Sequence, residues 1–333
     1  MRAIAWGSWQ TAEPDARSAN LVDKLARLIA IGLLSAVIAQ TWMASSSLDG
    51  PPAETSKVES SPANATAYDG GEIVIAGYVG APFYHRSDVH LTRPDGTDLQ
   101  LKELGWDGDA LHFPIDGGVR SVQWWQSFGF MVDFLHNKAV ARLGKGAHGR
   151  KLSNPVIEEV ETIGTLAGKP APPRLKLTDL FDRLEFTHGH NVLLFTPLLR
   201  LPSLTSRVRP YVGVGGGFAI PHSEVWFRGD SRAVRTSEYQ FAGPAAQLVA
   251  GLEFRTGRGS YFVEYKFTQA WIHSALTGDQ SWLNFNMPGD LWRQFRRWLW
   301  DEEPKLGRIS TTLGAHQIVV GAGYRWTRAR PAP

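Results

Sequence analysis

The sequence predicts an all-β fold, an eight-stranded antiparallel up-and-down transmembrane β-barrel with long extracellular loops. Three observations point there. From residue 72 onward the chain carries eight runs of roughly ten residues, rich in glycine and aromatics and weakly alternating, as a barrel facing lipid does. The connections between the runs alternate between long and short. No segment after residue 72 offers about eighteen consecutive apolar residues, so no helical span is available there.

The chain has 333 residues, and its organisation is legible from the N-terminus onward. Lys24 and Arg27 precede an apolar stretch at 28–39, and Ala44, Ser45 and Ser46 follow, the layout of a secretory signal. Residues 1–44 therefore read as a signal peptide, or as an N-terminal extension plus signal. Residues 45–71 are rich in Ser, Pro, Ala and Thr without an apolar period and read as a disordered linker. Residues 72–326 form the expected outer-membrane barrel, and 327–333 a C-terminal tail. The absence of cysteine excludes a disulfide scaffold, a thiolate metal site and a cysteine nucleophile. A net charge of +3, with basic residues scattered among carboxylates, argues against a nucleic-acid partner. The 13 tryptophans exceed what a soluble domain of this size carries.

In chain order the eight runs are 72–83, 117–125, 128–141, 183–201, 209–227, 238–254, 260–272 and 311–326. Alternation supports them individually. In the third, Phe128, Phe130, Val132 and Phe134 share one face, and Gly129, Met131 and Asp133 the other. In the seventh, Tyr261, Val263, Tyr265 and Phe267 oppose Glu264 and Lys266, as expected of a wall with lipid outside and a polar interior. The connections fall at 84–116 (long), 126–127 (short), 142–182 (long), 202–208 (short), 228–237 (medium), 255–259 (short) and 273–310 (long). That order assigns the long ones to the extracellular side. The closing GAGYRW, with Tyr324 and Trp326 on one face, resembles the C-terminal signature read by the outer-membrane insertion machinery, an expected assembly partner.

With directions fixed, polar chemistry collects at one height. The fourth run, DRLEFTHGHNVLLF at 182–195, descends from the outside, placing Asp182, Arg183, Glu185, His188 and His190 at the extracellular rim. His136, Asn137 and Lys138 end the ascending third run, and His222 and Glu224 end the fifth. Glu238, Tyr239 and Gln240 open the sixth, and His316 lies in the upper half of the eighth. Histidine and carboxylate are the usual acid–base and hard-metal groups at neutral pH. His136, Asp182, Glu185, His222 and Glu224 are accordingly the candidate catalytic residues. Lys138, Arg183, Tyr239, Gln240, Glu264 and Lys266 are the candidate substrate contacts. A polar rim is ordinary in a small barrel, and strand parity sets a further condition: Glu185, Thr187 and Asn191 share one face, His188 and His190 the other. They converge only across a bulge, for which Gly189 is the candidate.

Three loop segments carry signals of their own. RPDGTD at 93–98 marks a turn between alternating DVHLT and DLQLK, so the first loop should raise two strands above the membrane. RLGKGAHGRK at 142–151 reads either as a solvated cationic loop or as a seat for anionic headgroups. GDLWRQFRRWLW at 289–300 spaces Leu291, Phe295, Trp298 and Leu299 helically beside Arg293, Arg296 and Arg297, which suits an interfacial helix or a cap on the barrel mouth.

The motifs FGFMVDFLHNKAVA, DRLEFTHGHN, PYVGVGGGFAIPHSEV, YQFAGPAAQLVAG and FVEYKFT, spread over 72–326, resemble the lipid A oxidases of Gram-negative outer membranes. The resemblance implies a monomeric barrel enzyme in the outer membrane that uses molecular oxygen to oxidise the proximal glucosamine of lipid A to 2-aminogluconate, releasing hydrogen peroxide. Its partner would be the lipopolysaccharide of the outer leaflet. No nucleotide cofactor is expected, because GVGGGF lies inside a membrane strand and not between a strand and a helix. A divalent metal on His136, Glu185 and His222 is the alternative electron-handling device. Two other functions compete: a non-catalytic barrel that anchors the envelope or displays loops, and a lipid A deacylase using His273 and Ser274. The latter two are strand neighbours and face opposite sides.

Overall fold

A computed structural model describes residues 71–279, 286–302 and 304–327. The expected signal region and linker, Gly71 apart, and the tail beyond Thr327 lie outside the described residues. The first part of the described chain contains β1 (Glu72–Tyr84), β2 (Ser87–Arg93), β3 (Thr97–Leu104), β4 (Trp106–Asp107), β5 (Gly117–Trp125), β6 (Phe128–Ala141), β7 (Glu159–Leu166), β8 (Lys169–Pro170) and β9 (Arg174–Lys176). Next come α1 (Leu177–Leu180), β10 (Phe181–Arg200), β11 (Val208–Ala219), β12 (His222–Phe227), β13 (Thr236–Tyr239), β14 (Gly243–Thr256) and β15 (Gly259–Ala275). The last two are α2 (Met287–Leu299) and β16 (Arg308–Thr327).

Eight strands close a ring in the order β1-β5-β6-β10-β11-β14-β15-β16, all neighbours antiparallel, with β16 returning to β1 from Glu72↔Thr327 to Tyr84↔Ala315. These are the eight runs the sequence marks. Closure leaves the wall without a free edge, the condition for a sheet to stand in hydrocarbon. The polarity of the wall is inverted relative to a soluble protein. Along β15, Tyr261, Val263 and Tyr265 are exposed while Glu264 and Lys266 are fully buried; along β16, Ile318, Val320, Tyr324 and Trp326 are exposed. A transmembrane barrel with an apolar outside and a polar interior is the arrangement that satisfies both.

Inside, the charges neutralise one another. Arg120 donates to Glu264 at 2.8 Å and to the Tyr211 hydroxyl at 3.0 Å, and Tyr211 donates to Glu264 at 2.7 Å. Lys266 pairs with Asp133, which also accepts from Tyr78 at 2.7 Å. Toward the end with the short connections, Arg255 and Arg200 each donate to Glu72 at distances from 2.7 to 2.9 Å, and the Arg200 guanidinium lies 3.7 Å from the Trp124 ring centre. Side chains thus fill the interior, as an eight-stranded barrel requires.

Two of the expected runs are broken above the membrane. The fifth stops at Ala219 and resumes as β12 at His222, because Pro221 has no N–H for the ladder; the sixth is divided into β13 and β14. β12 pairs with the top of β10 and with β13, so this corner leans over the rim. The first loop does raise two strands, and β7 from the second loop adds a third, continuing the sheet as β16-β2-β3-β7-β8 over a core that includes Val89, Leu91, Leu99, Leu101 and Val160. The basic segment 142–151 is a folded hairpin: Lys145 bridges to Lys151, Arg142 bonds Asp107 at 3.0 Å, and Arg150 bonds Asp109 at 2.8 Å.

The interior pairs generate a test of stability. Asp133→Leu, which leaves Lys266 only the more distant Glu264 at 3.7 Å as a carboxylate partner, is expected to destabilise the barrel by up to about 3 kcal/mol, whereas Asp133→Leu with Lys266→Met recovers most of the loss. Urea unfolding in lipid vesicles measures both, and equal losses would show that charge pairing is not what the site requires.

Candidate functional site

The site begins with the backbone of β10. Phe186 pairs with Ala139 of β6, yet His190 pairs with Asn137, so two extra residues are accommodated between them. Gly189 sits in that bulge at φ 125°, a conformation L side chains rarely adopt, and a Cβ there would fall 2.1 Å from the Asn191 side chain. Two residues are an even number, so Glu185 (opposite Val140) and Asn191 (opposite His136) keep one face and His190 (opposite Asn137) the other, and only the residues inside the bulge, His188 among them, are released from the alternation. Glu185, Thr187, His190 and Asn191 are all buried, and His188 is nearly so.

Glu224 of β12 is the hub. His188 Nδ1 lies 2.6 Å from Glu224 Oε1, Thr187 Oγ1 donates to Glu185 at 3.0 Å and to Glu224 at 3.3 Å, and Arg183 touches both carboxylates, contacting Glu224 Oε2 and standing 3.3 Å from Glu185 Oε1. His222 stacks edge-on against His188 and Tyr239, with ring centres 4.7 Å from each. It is fully buried, its Nδ1 is 3.4 Å from Glu224 Oε1, and neither ring nitrogen makes an aligned hydrogen bond. Tyr239 donates its hydroxyl to the His188 carbonyl at 2.7 Å, fixing the bulge from the opposite side.

The second loop completes the group. His148, at φ 57°, places its ring 4.2 Å from that of His188 and donates its backbone N–H to Glu185 at 3.2 Å. Among the described residues, His148, His188 and Glu224 each bring one donor atom within 4.8 Å of the others, a spacing that suits a metal ion. A cleft of about 240 Å³ opens beside them, lined by Lys145, Asp182, Arg183, Glu185, Trp226 and Arg235 among others.

Burial and charge set the protonation pattern. Burial, then the adjacent Glu224 charge, pushes Glu185 up to about 8, with Arg183 only partly opposing them. Burial would raise Glu224 as well, but its contacts with His188 and His222 and the Arg183 charge hold it well below the usual carboxylate range. Burial and the neighbouring His188 push His148 down to about 4, so its imidazole is neutral and can act as a ligand. At pH 7 a protonated carboxyl therefore stands next to an ionised one, the division that separates acid–base roles in many active sites.

Four sequence candidates, Arg183, Glu185, His222 and Glu224, meet in this cluster, and Tyr239 abuts it. Asp182 lies at the mouth of the cleft, 3.5 Å from Arg235. His136 belongs to an adjacent polar group, its Nδ1 2.8 Å from Asn191, while His190 faces Tyr84 at 3.2 Å. The expected ligand triple His136, Glu185 and His222 is not the set brought together; His148, His188 and Glu224 are. Gln240 straps the rim by exchanging hydrogen bonds with the backbone of Ala275 at 2.8 and 2.9 Å. Lys138 is buried against Asp116, and Glu264 and Lys266 are enclosed in the barrel interior. These three lie away from the cleft because alternation fixes which face a residue takes, not its depth. Two cluster members were missed. Parity set His188 aside, and only its place inside the bulge frees it from the alternation; His148 lay in a segment notable in sequence only for charge, although its flanking glycines hinted at a constrained turn.

The other candidate pair is divided by the strand. Ser274 is buried with Ser223 at 2.8 Å, and His273 faces outward, 3.0 Å from Ser310.

No family model and no curated protein matches the chain. Among solved structures, it is similar to Ail, the attachment invasion locus protein of Yersinia pestis, in a crystal complex with the heparin analogue sucrose octasulfate: 11% identity, 78% of this chain, 99% of that chain and a TM-score of 0.28. The barrel fold is established by the strand register, independently of that likeness.

Proposed function

We propose that this protein is an outer-membrane enzyme that modifies lipid A, oxidising the proximal glucosamine to 2-aminogluconate with molecular oxygen as acceptor. The observation that carries the reading is the buried group formed by Glu224, His188, His148 and His222 beside a protonated Glu185, at the end of the barrel that carries the long loops. Enclosing so many ionisable groups is costly to folding, and clusters of this kind concentrate where chemistry is done. The sequence resemblance to lipid A oxidases points the same way.

The reaction balances as follows. The anomeric carbon, carrying a free hydroxyl, gives up two electrons and two protons to O₂, yielding a lactone and H₂O₂; water then opens the lactone to the acid. Glu185 is assigned the base that receives the anomeric hydroxyl proton, Glu224 and Arg183 hold its charge state, and the cleft with Lys145, Arg183 and Arg235 receives the anionic sugar headgroup. Two imidazoles and a carboxylate within 4.8 Å, beside the buried imidazole of His222, fit a divalent ion. Such an ion would supply Lewis acidity at the sugar oxygen. The deacylase alternative loses support from the separation of His273 and Ser274.

Lipid A from cells expressing the protein, in a background without similar activity, is expected to gain one oxygen, about 16 Da, on the proximal sugar, and Glu224→Gln is expected to lower the conversion about 100-fold while the barrel still assembles. Unchanged lipid A alongside a correctly inserted barrel would transfer the assignment to the non-catalytic alternative. The pH profile carries a definite sign. With Glu185 at about 8, the base form increases as pH rises, so kcat/KM should climb about tenfold per pH unit below that value and level off above it. Glu185→Gln should abolish that rise, and a profile that levels off near pH 4.5 would remove Glu185 from the role.

A further inference from the structure

Helix α2 is mounted with its polar side inward. Asp290 is fully buried and accepts the Tyr239 backbone N–H at 2.9 Å; Gln294 exchanges bonds with the backbone of Phe241 at 2.7 and 3.0 Å; Arg297 bonds Glu238 at 2.8 Å and Asp279 at 2.7 Å. Positions 290, 294 and 297 thus form the side anchored to the rim. The opposite side is apolar and open: Trp292, Leu299 and Trp300 are 61%, 56% and 59% exposed, with Phe295 stacked on Trp292 at 5.5 Å. Arg296 sits in this exposed side with its guanidinium 5.3 Å from the Trp300 ring centre. An aqueous helix would be mounted the other way round.

What covers the face follows from where it is anchored. Phe241 lies just above β14, whose outward residues begin at Pro244 and continue through Leu248 and Leu252, and on neighbouring β15 the outward Trp271 stands at the same level. The helix is therefore fastened on the order of 10 Å beyond the upper edge of the lipid-facing band, at headgroup height. Its apolar face continues that band, and tryptophan favours this boundary. We infer that α2 is a lipid-docking helix: Trp292, Phe295, Leu299 and Trp300 enter the acyl boundary of the outer leaflet, and Arg296 meets an anionic headgroup. The sequence left this choice open between an interfacial helix and a cap. The buried anchor settles which side each residue takes, and the Arg293 and Arg297 charges go to the protein, not to lipid.

The absence of native cysteine makes the test direct, since a single introduced cysteine takes a unique spin label. Trp292→Cys and Leu299→Cys would be labelled separately in the full chain, inserted in vesicles of phosphatidylcholine and phosphatidylglycerol, with Val263→Cys on the lipid band and Lys169→Cys on the outer sheet as references. Heat-modified gel mobility checks folding of each. Both helix labels should match the Val263 reference, open to oxygen and less accessible to a water-soluble nickel chelate than Lys169 by about fivefold or more. Nickel access equal to that at Lys169 would place the face in water and overturn the inference. Shielding from both probes, with spin–spin broadening, would mean that a second copy covers it, and would overturn it equally.

Discussion

Closure of β1 onto β16 is the constraint on which the rest depends. A sheet in hydrocarbon cannot leave a row of backbone groups unpaired, so the ring must close, and once closed it divides every strand into an outward and an inward set. The outward set must be apolar. The inward set then has no water to solvate its charges and must neutralise itself, which is what Arg120 with Glu264, Lys266 with Asp133, and Arg200 and Arg255 with Glu72 accomplish. The interior is consequently filled by paired polar side chains, and the buried His–carboxylate cluster lies instead at the end that carries the long loops.

At that end the regular barrel gives way in two places, and both breaks serve the same group of side chains. The bulge at Gly189 frees His188 from the alternation of β10, and after the interruption at Pro221 β12 pairs with the top of β10, setting Glu224 directly opposite Glu185. The pairing joins the two carboxylates, and the bulge adds His188 to them. His148 then arrives from a loop hairpin and Tyr239 from β13, so the cluster draws on four segments far apart in sequence. Its electrostatics follow from that crowding, because two buried carboxylates sharing one arginine do not both ionise readily.

The sequence was informative where a short period controls structure. Alternation in runs such as 128–141 and 260–272 identified the wall strands and their lipid-facing side, and loop lengths gave their direction. The parity conflict along the fourth run pointed to Gly189 as the bulge, where the register does shift, while Glu185 meets Glu224 as a direct cross-strand pair. Depth was harder to read. Glu264 and Lys266 alternate like rim residues but lie in the interior, since period two is the same at every height. Contacts between distant loops left no local trace, so His148 went unnoticed, and the polar anchor of α2 depended on partners, Glu238 and Asp279, that helical spacing alone does not reveal. The Pro inside the fifth run did carry a signal of its break.

The central claim is that a protonated carboxyl, Glu185, is held beside an ionised one at the outer rim. Infrared titration of the barrel in lipid, comparing the native chain with Glu185→Gln, tests it at the atom concerned. The account predicts a protonated-carboxyl carbonyl band that persists at neutral pH, disappears as pH rises through about 8, and is missing from the variant. A native protein whose carboxyl bands all vanish near the ordinary value of 4.5 would contradict it.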